Sequence, residues 1–209
     1  MDLKSTLKQI VDIPELHAKW LNSLSMMENC GARKISAGEH SQNVDLIVLK
    51  HAAEEARHAY YLKNQIGKTG FIGCETYQKD ELIAPIQSAQ YLKKLDSTAS
   101  RYLKDLSYAG DRLRYGAYLL VTYAIEVRAD ELYPIYEEVL KQSGSKISVR
   151  MIVAEEKGHL EEMITQMDSF FSDWKEHGEY VLSIESKLYN NWESAIENEV
   201  ARFSQKELV

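Results

Sequence analysis

Glu54-Glu55-Ala56-Arg57-His58 and Glu155-Glu156-Lys157-Gly158-His159 repeat one local pattern about a hundred residues apart: two glutamates, two intervening residues, one histidine. Residues three apart on a helix share a face, so each Glu-x-x-His step presents a carboxylate beside an imidazole. Those donor types suit a divalent transition metal. Repetition alone carries little weight. With 6 histidines and 22 glutamates in 209 residues, random placement supplies about 0.6 such steps. The context of the two steps has to decide what they mean.

Both steps lie on apolar helical stripes. Working outward, Val44, Val48, His51, Glu55, His58, Leu62 and Ile66 share one face of a predicted helix closed by Gly67 and Gly70. Ile152, Glu156, His159, Met163, Met167 and Phe170 form the same kind of stripe. Before the first step, Ile13, Trp20, Leu24, Met27, Gly31 and Ile35 mark a long helix, with Asp12 as its expected cap, Pro14 in its first turn and Gly38 at its end. Before the second, a helix from about Asp111 to Gln142 carries Gly116, Leu119, Tyr123, Glu126, Tyr133 and Leu140, with Pro134 inside it. The polar run from Gly38 to Asn43 and the Ser143-Gly144-Ser145 turn join each pair into a hairpin. Residues 67–111 form a crossover containing an amphipathic segment near Pro85 to Leu106, and residues 179–205 give a C-terminal helix.

Register then brings single glutamates to the two motifs. In an antiparallel hairpin, residues equidistant from the turn lie at one height. Glu28 and Glu55 are centred on Ser41–Gln42, and Glu126 and Glu156 are centred on Lys141, just before the turn. At 1.5 Å per residue both pairs sit about 20 Å from their turns, level with each other. Asp130, one turn beyond Glu126 on the same face, is an alternative. One Glu from each of two helices and a Glu-x-x-His from each of two others is the donor set of carboxylate bundles that bind two metals. Four carboxylates balance two divalent ions. Unmetallated, they would repel or take up protons.

Across about residues 13–170 the chain resembles the ferritin-like di-iron superfamily at Glu28, Glu55, His58, Glu126, Glu156 and His159. The Glu-Glu-x-Arg-His text at 54–58 is similar to the Asp-Glu-x-Arg-His motif of bacterial di-iron oxygenases, with Glu54 in place of Asp. The resemblance implies an all-α, ferritin-like four-helix bundle, two antiparallel hairpins joined by a long crossover containing a helix, plus the C-terminal helix, in a single domain of residues 1–209. It implies two Fe ions (Fe/Mn or Mn/Mn being alternatives) and activation of O2, leading to an oxygenase or hydroxylase of a small organic substrate. It also implies that Glu54 and Glu155 orient the histidine of the facing helix and that Arg57 pairs with that carboxylate layer. His51 and Tyr123 are pocket or redox candidates, although a core histidine and a packing tyrosine are the plainer readings. An external electron donor is expected, since no flavin or iron–sulfur motif is visible, and a homodimer is compatible with this picture.

Composition bounds the other classes. Three Pro, 10 Gly, 44% hydrophobic and 27% charged residues describe a helical globular chain. A net charge of −7 disfavours general nucleic-acid binding. No apolar run reaches spanning length and no charged-then-apolar leader opens the chain, so no membrane association and a cytoplasmic location are expected. Cys30 and Cys74 form no Cys-x-x-Cys pair, which weakens a peroxide-scavenging role. A ferroxidase and a metal-free helical interaction module stay open. His17, His40 and His177 read as surface residues, Glu137-Glu138 and Glu161-Glu162 as solvated faces, and Met163 and Met167 as core.

Overall fold

A computed structural model describes residues 2–40 and 42–206. Among them the chain is all-α, with no strand. The helices are α1 (Leu3–Asp12), α2 (Pro14–Gly38), α3 (Leu46–Gln65), α4 (Pro85–Asp105), α5 (Gly110–Gln142), α6 (Arg150–Phe170) and α7 (Trp174–Lys206). The expected hairpin midpoint at Ser41 lies outside the described residues. None of the helices is long and apolar enough to cross a membrane.

Local chemistry sets most boundaries. The Asp45 carboxylate accepts from the Ile47 amide at 2.8 Å and caps α3. Gly70, at φ +82°, stops the short 3-10 turn that follows α3. Pro14 starts α2, its missing donor costing nothing in a first turn. Two boundaries differ from expectation. Asp12 does not cap α2; it ends the additional helix α1, and Ile13 takes the N-cap position of α2 without a side-chain hydrogen bond. The C-terminal helix begins at Trp174 rather than about 179. The signal for α1 was Leu3, Leu7 and Ile10 at helical spacing behind Asp2, whose carboxylate accepts from the Ser5 amide.

Cross-helix contacts fix the register of both hairpins. The Ser25 hydroxyl donates to the Ala59 carbonyl at 2.6 Å, and Ile35 clusters with Val48 nearer the α2–α3 loop. In the second hairpin Tyr115 donates to Gln166, and Glu137 accepts from the Val149 amide at 2.7 Å. Each pair is nearly equidistant from its loop, so α2 runs antiparallel to α3 and α5 to α6. The crossover helix α4 packs on α5 and α7.

The apolar core is divided along these helices. One cluster holds Leu7, Leu16, Trp20, Leu62, Tyr136 and Trp192, with Trp20 and Trp192 stacked at 5.4 Å. Another holds Leu95, Leu103, Leu119, Met163 and Phe171. A fully buried side chain of this size stabilises the fold by roughly 1.5–3 kcal/mol. On α5 the second cluster ends at Ala124 and the first resumes at Leu132; on α6 they are separated by the stretch from Ile152 to Met163. Glu126, Glu156 and His159 occupy those gaps. The polar layer is thus clamped between two apolar layers.

Candidate metal centre

Four helices each deliver side chains to this layer: Glu28 from α2, Glu55 and His58 from α3, Glu126 from α5, Glu156 and His159 from α6. They form two groups of three, Glu28/Glu55/His58 and Glu126/Glu156/His159. Within each group one ligand-capable atom per residue lies within 4.8 Å of the others. The groups adjoin, since His58 Nδ1 is 3.2 Å from Glu156 Oε1. All six are buried except Glu28, which is partly so. Asp130, the alternative to Glu126, is exposed, whereas Glu126 is 1% exposed.

The outer nitrogens of the two histidines are held reciprocally across the hairpins. His58 on α3 donates Nε2–H to Glu155 of α6 at 2.7 Å, and His159 on α6 donates Nε2–H to Glu54 of α3 at 2.7 Å. Arg57 closes the layer, 2.7 Å from Glu155 and 3.7 Å from Glu54. Each Glu-Glu-x-x-His therefore supplies one inner carboxylate, one inner imidazole and the outer carboxylate for the other motif's imidazole. An Nε2–H committed to a carboxylate leaves Nδ1 facing inward with its ring orientation fixed.

Burial without compensation dominates the electrostatics. Desolvation, then the charge of Glu28, pushes the Glu55 carboxyl well above the usual range, and desolvation, then Glu156, does the same to Glu126. Burial lowers the His159 imidazole, but the Glu126 and Glu156 carboxylates, 3.6 and 3.3 Å from its Nδ1, outweigh it and raise it to about 11. His58 Nδ1 and both Glu126 oxygens are buried without a hydrogen-bond partner. Such orphans are rare and costly in a native interior. A pair of divalent cations answers each of them: it accepts the imidazole lone pairs, neutralises the carboxylates and occupies the space they converge on. The donor set fits two metals. Because these groups hold protons when no cation is present, metal uptake should release protons. Apparent Fe²⁺ or Mn²⁺ affinity is expected to fall at least tenfold per unit as pH drops from 8 to 6, measured by competition with a chelator of known pH dependence.

The neighbouring candidates divide. His51 is buried with its ring 5.0 Å from that of His159, hydrogen-bonded to the Tyr118 hydroxyl at 2.8 Å and to Glu162 at 3.1 Å. Tyr123 is not at the centre; it packs edge-on against Trp174 and beside Gly178 of α7. The tyrosine that does reach a cluster is Tyr133, whose hydroxyl donates to Glu28. Its signal was its position seven residues, two helical turns, after Glu126. Gly31 faces Glu55, where an added Cβ would meet Oε2 at an ordinary 3.4 Å; Gly158 faces open space, so close packing explains neither glycine. Three surface assignments also change. His17 is buried against Tyr136 at 2.7 Å, Glu137 is buried and accepts from the start of α6, and Glu162 ties Lys50 to His51. For the buried His17 and Glu137, a partner on another helix or loop supplies the hydrogen bond that makes burial tolerable, while Glu162 stays partly exposed.

A cavity of about 1020 Å³ opens onto the centre between α2, α4 and α5. Glu28, Glu55, Glu126 and Tyr133 line it, while His58, Glu156 and His159 do not. The accessible side of the centre is therefore its carboxylate side. Compared with protein-family models, with curated proteins and with solved structures, the chain matches none.

Proposed function

We propose that this protein is a ferritin-like four-helix-bundle oxidoreductase that holds two iron ions and uses O2 on a small organic substrate. The observation that carries the reading is the paired, reciprocal geometry: two Glu/Glu/His groups whose histidines are each oriented by a carboxylate from the opposite motif. A solvated helical face has no reason to build this twice. The cavity against the carboxylate side favours an organic substrate over an iron-handling role, because moving iron requires no large apolar chamber.

When bound, two iron ions supply O2 binding and redox electrons. The chain's own contributions follow from its geometry. Glu28, Glu55, Glu126 and Glu156 would balance the metal charge, and the first three line the open side. His58 and His159 would each hold one metal from the closed side, kept in register by Glu155 and Glu54. Tyr133 pins Glu28. The two apolar layers bound the centre along the bundle, and His51 stands between His159 and Tyr118, a cavity-lining hydroxyl. Electrons must come from an external donor.

Elemental analysis after anaerobic Fe²⁺ loading, followed by exposure to O2 in a spectrometer, tests this reading. About two metals per chain and a transient absorption on oxidation are expected. Stoichiometry near zero, unchanged by Glu156→Ala, would overturn it and leave a metal-free helical module.

A further inference from the structure

We infer that the cavity beside the centre binds an elongated apolar molecule that carries no negative charge, such as a long-chain alcohol, aldehyde or terpenoid. Its shape comes from the helices. The cavity follows α5 from Asp111 to Tyr133 and α2 from Gly38 back to Leu24. At 1.5 Å per residue, Glu28 lies about 15 Å from the Gly38 end and Glu126 about 22 Å from Asp111. The space continues past both to Tyr91 and Trp192. A compact substrate would leave most of it unfilled.

Its chemistry comes from the walls. Leu24, Ile35, Val48, Val121, Ile125 and Leu132 give the lining an aliphatic character. Val44 and Leu46 stand 63% and 79% exposed at the outer end, an apolar approach to the mouth. Seven carboxylates line the space against three cations, and every cation is already paired. Lys34 meets Asp96 at 2.5 Å, Arg114 meets Asp111, and Arg128 is held by Glu185 at 2.8 Å. A carboxylate or phosphate head would find no unpaired cation and would face like charge at the rim. A neutral head meets no such penalty.

The inference builds on the di-metal reading only for which carbon faces the chemistry, so it is tested on metal-free protein by calorimetric titration with 1-alkanols and matching alkanoates at pH 8. Alkanol affinity should rise about fourfold per added methylene until the space is filled. Each alkanoate should bind at least tenfold more weakly than the alkanol of equal length. Ala117→Phe and Val121→Phe, which fill the cavity away from the six candidate ligands, should each weaken alkanol binding at least tenfold while uptake of two Fe²⁺ ions per chain persists. Affinity independent of chain length, alkanoates binding as tightly as alkanols, or unchanged binding in both filled variants would overturn the inference. Alkanol binding without Fe²⁺ uptake would instead overturn the di-metal reading and leave the cavity inference standing.

Discussion

Glu55→Gln should make the metal-free protein more stable at pH 8 while cutting its metal capacity from two ions per chain to one or none. Glu55 is buried, and desolvation together with Glu28 raises its carboxyl well above the usual range. A group raised in the folded state contributes stability fully present below its unfolded value of about 4.5 and lost as pH rises through its folded value. The wild-type chain therefore loses stability towards alkaline pH, and the neutral amide does not. The gain at pH 8 should be about 1–3 kcal/mol, a rise in Tm of about 3–10 °C for a chain of this length, and should vanish near pH 4. Thermal melts at several pH values, with metal analysis of the same samples, read both effects. A site kept for structure alone would show the opposite sign, and an unchanged Tm with full metal capacity would remove Glu55 from the centre.

Glu54→Ala should weaken metal binding at the cluster on α5 and α6, not at the one containing its sequence neighbour Glu55. Glu54 holds His159, and Glu155 holds His58. Removing an outer carboxylate frees the imidazole to rotate and lowers its basicity, costing about 10–100-fold in affinity. Metal titrations of Glu54→Ala in backgrounds lacking one or the other cluster should show the crossed pattern, and Glu155→Ala should show its mirror image. Glu161→Ala, exposed on α6, should do neither. Each effect falling on the motif's own cluster would refute the reciprocal arrangement. Arg57 touches both outer carboxylates, so its loss should weaken both sites more mildly.

The helical text carried most of the fold because burial in a helix leaves a 3.6-residue imprint. Apolar stripes placed five of the seven helices to within a few residues, and loop-centred register brought Glu28 to Glu55 and Glu126 to Glu156 before any coordinates. The places where that reasoning failed have two causes. α1 is short and lacked a motif to draw attention to it. His17 and Glu137 are polar residues whose burial depends on Tyr136 and Val149, and the partly exposed Glu162 is held by His51, partners that periodicity cannot name. Tyr123 and Tyr133 lie on one helix, ten residues apart, and only their neighbours separate a packing ring from a hydrogen-bond donor to Glu28.

By itself, then, the sequence determined which residues could share a helix face and at what height, since both follow from spacing along a regular helix. It therefore pointed to the all-α architecture and to five of the six candidate ligands, leaving the third-helix position between Glu126 and Asp130. Packing between helices decided that Asp130 turns outward while Glu126 turns in, and that the carboxylate side opens on an apolar cavity; the crossed glutamate–histidine pairing, which the family resemblance implied, takes its distances from the same packing. Those are relations between helices, set by how side chains pack across a gap, and no periodicity within one helix encodes them.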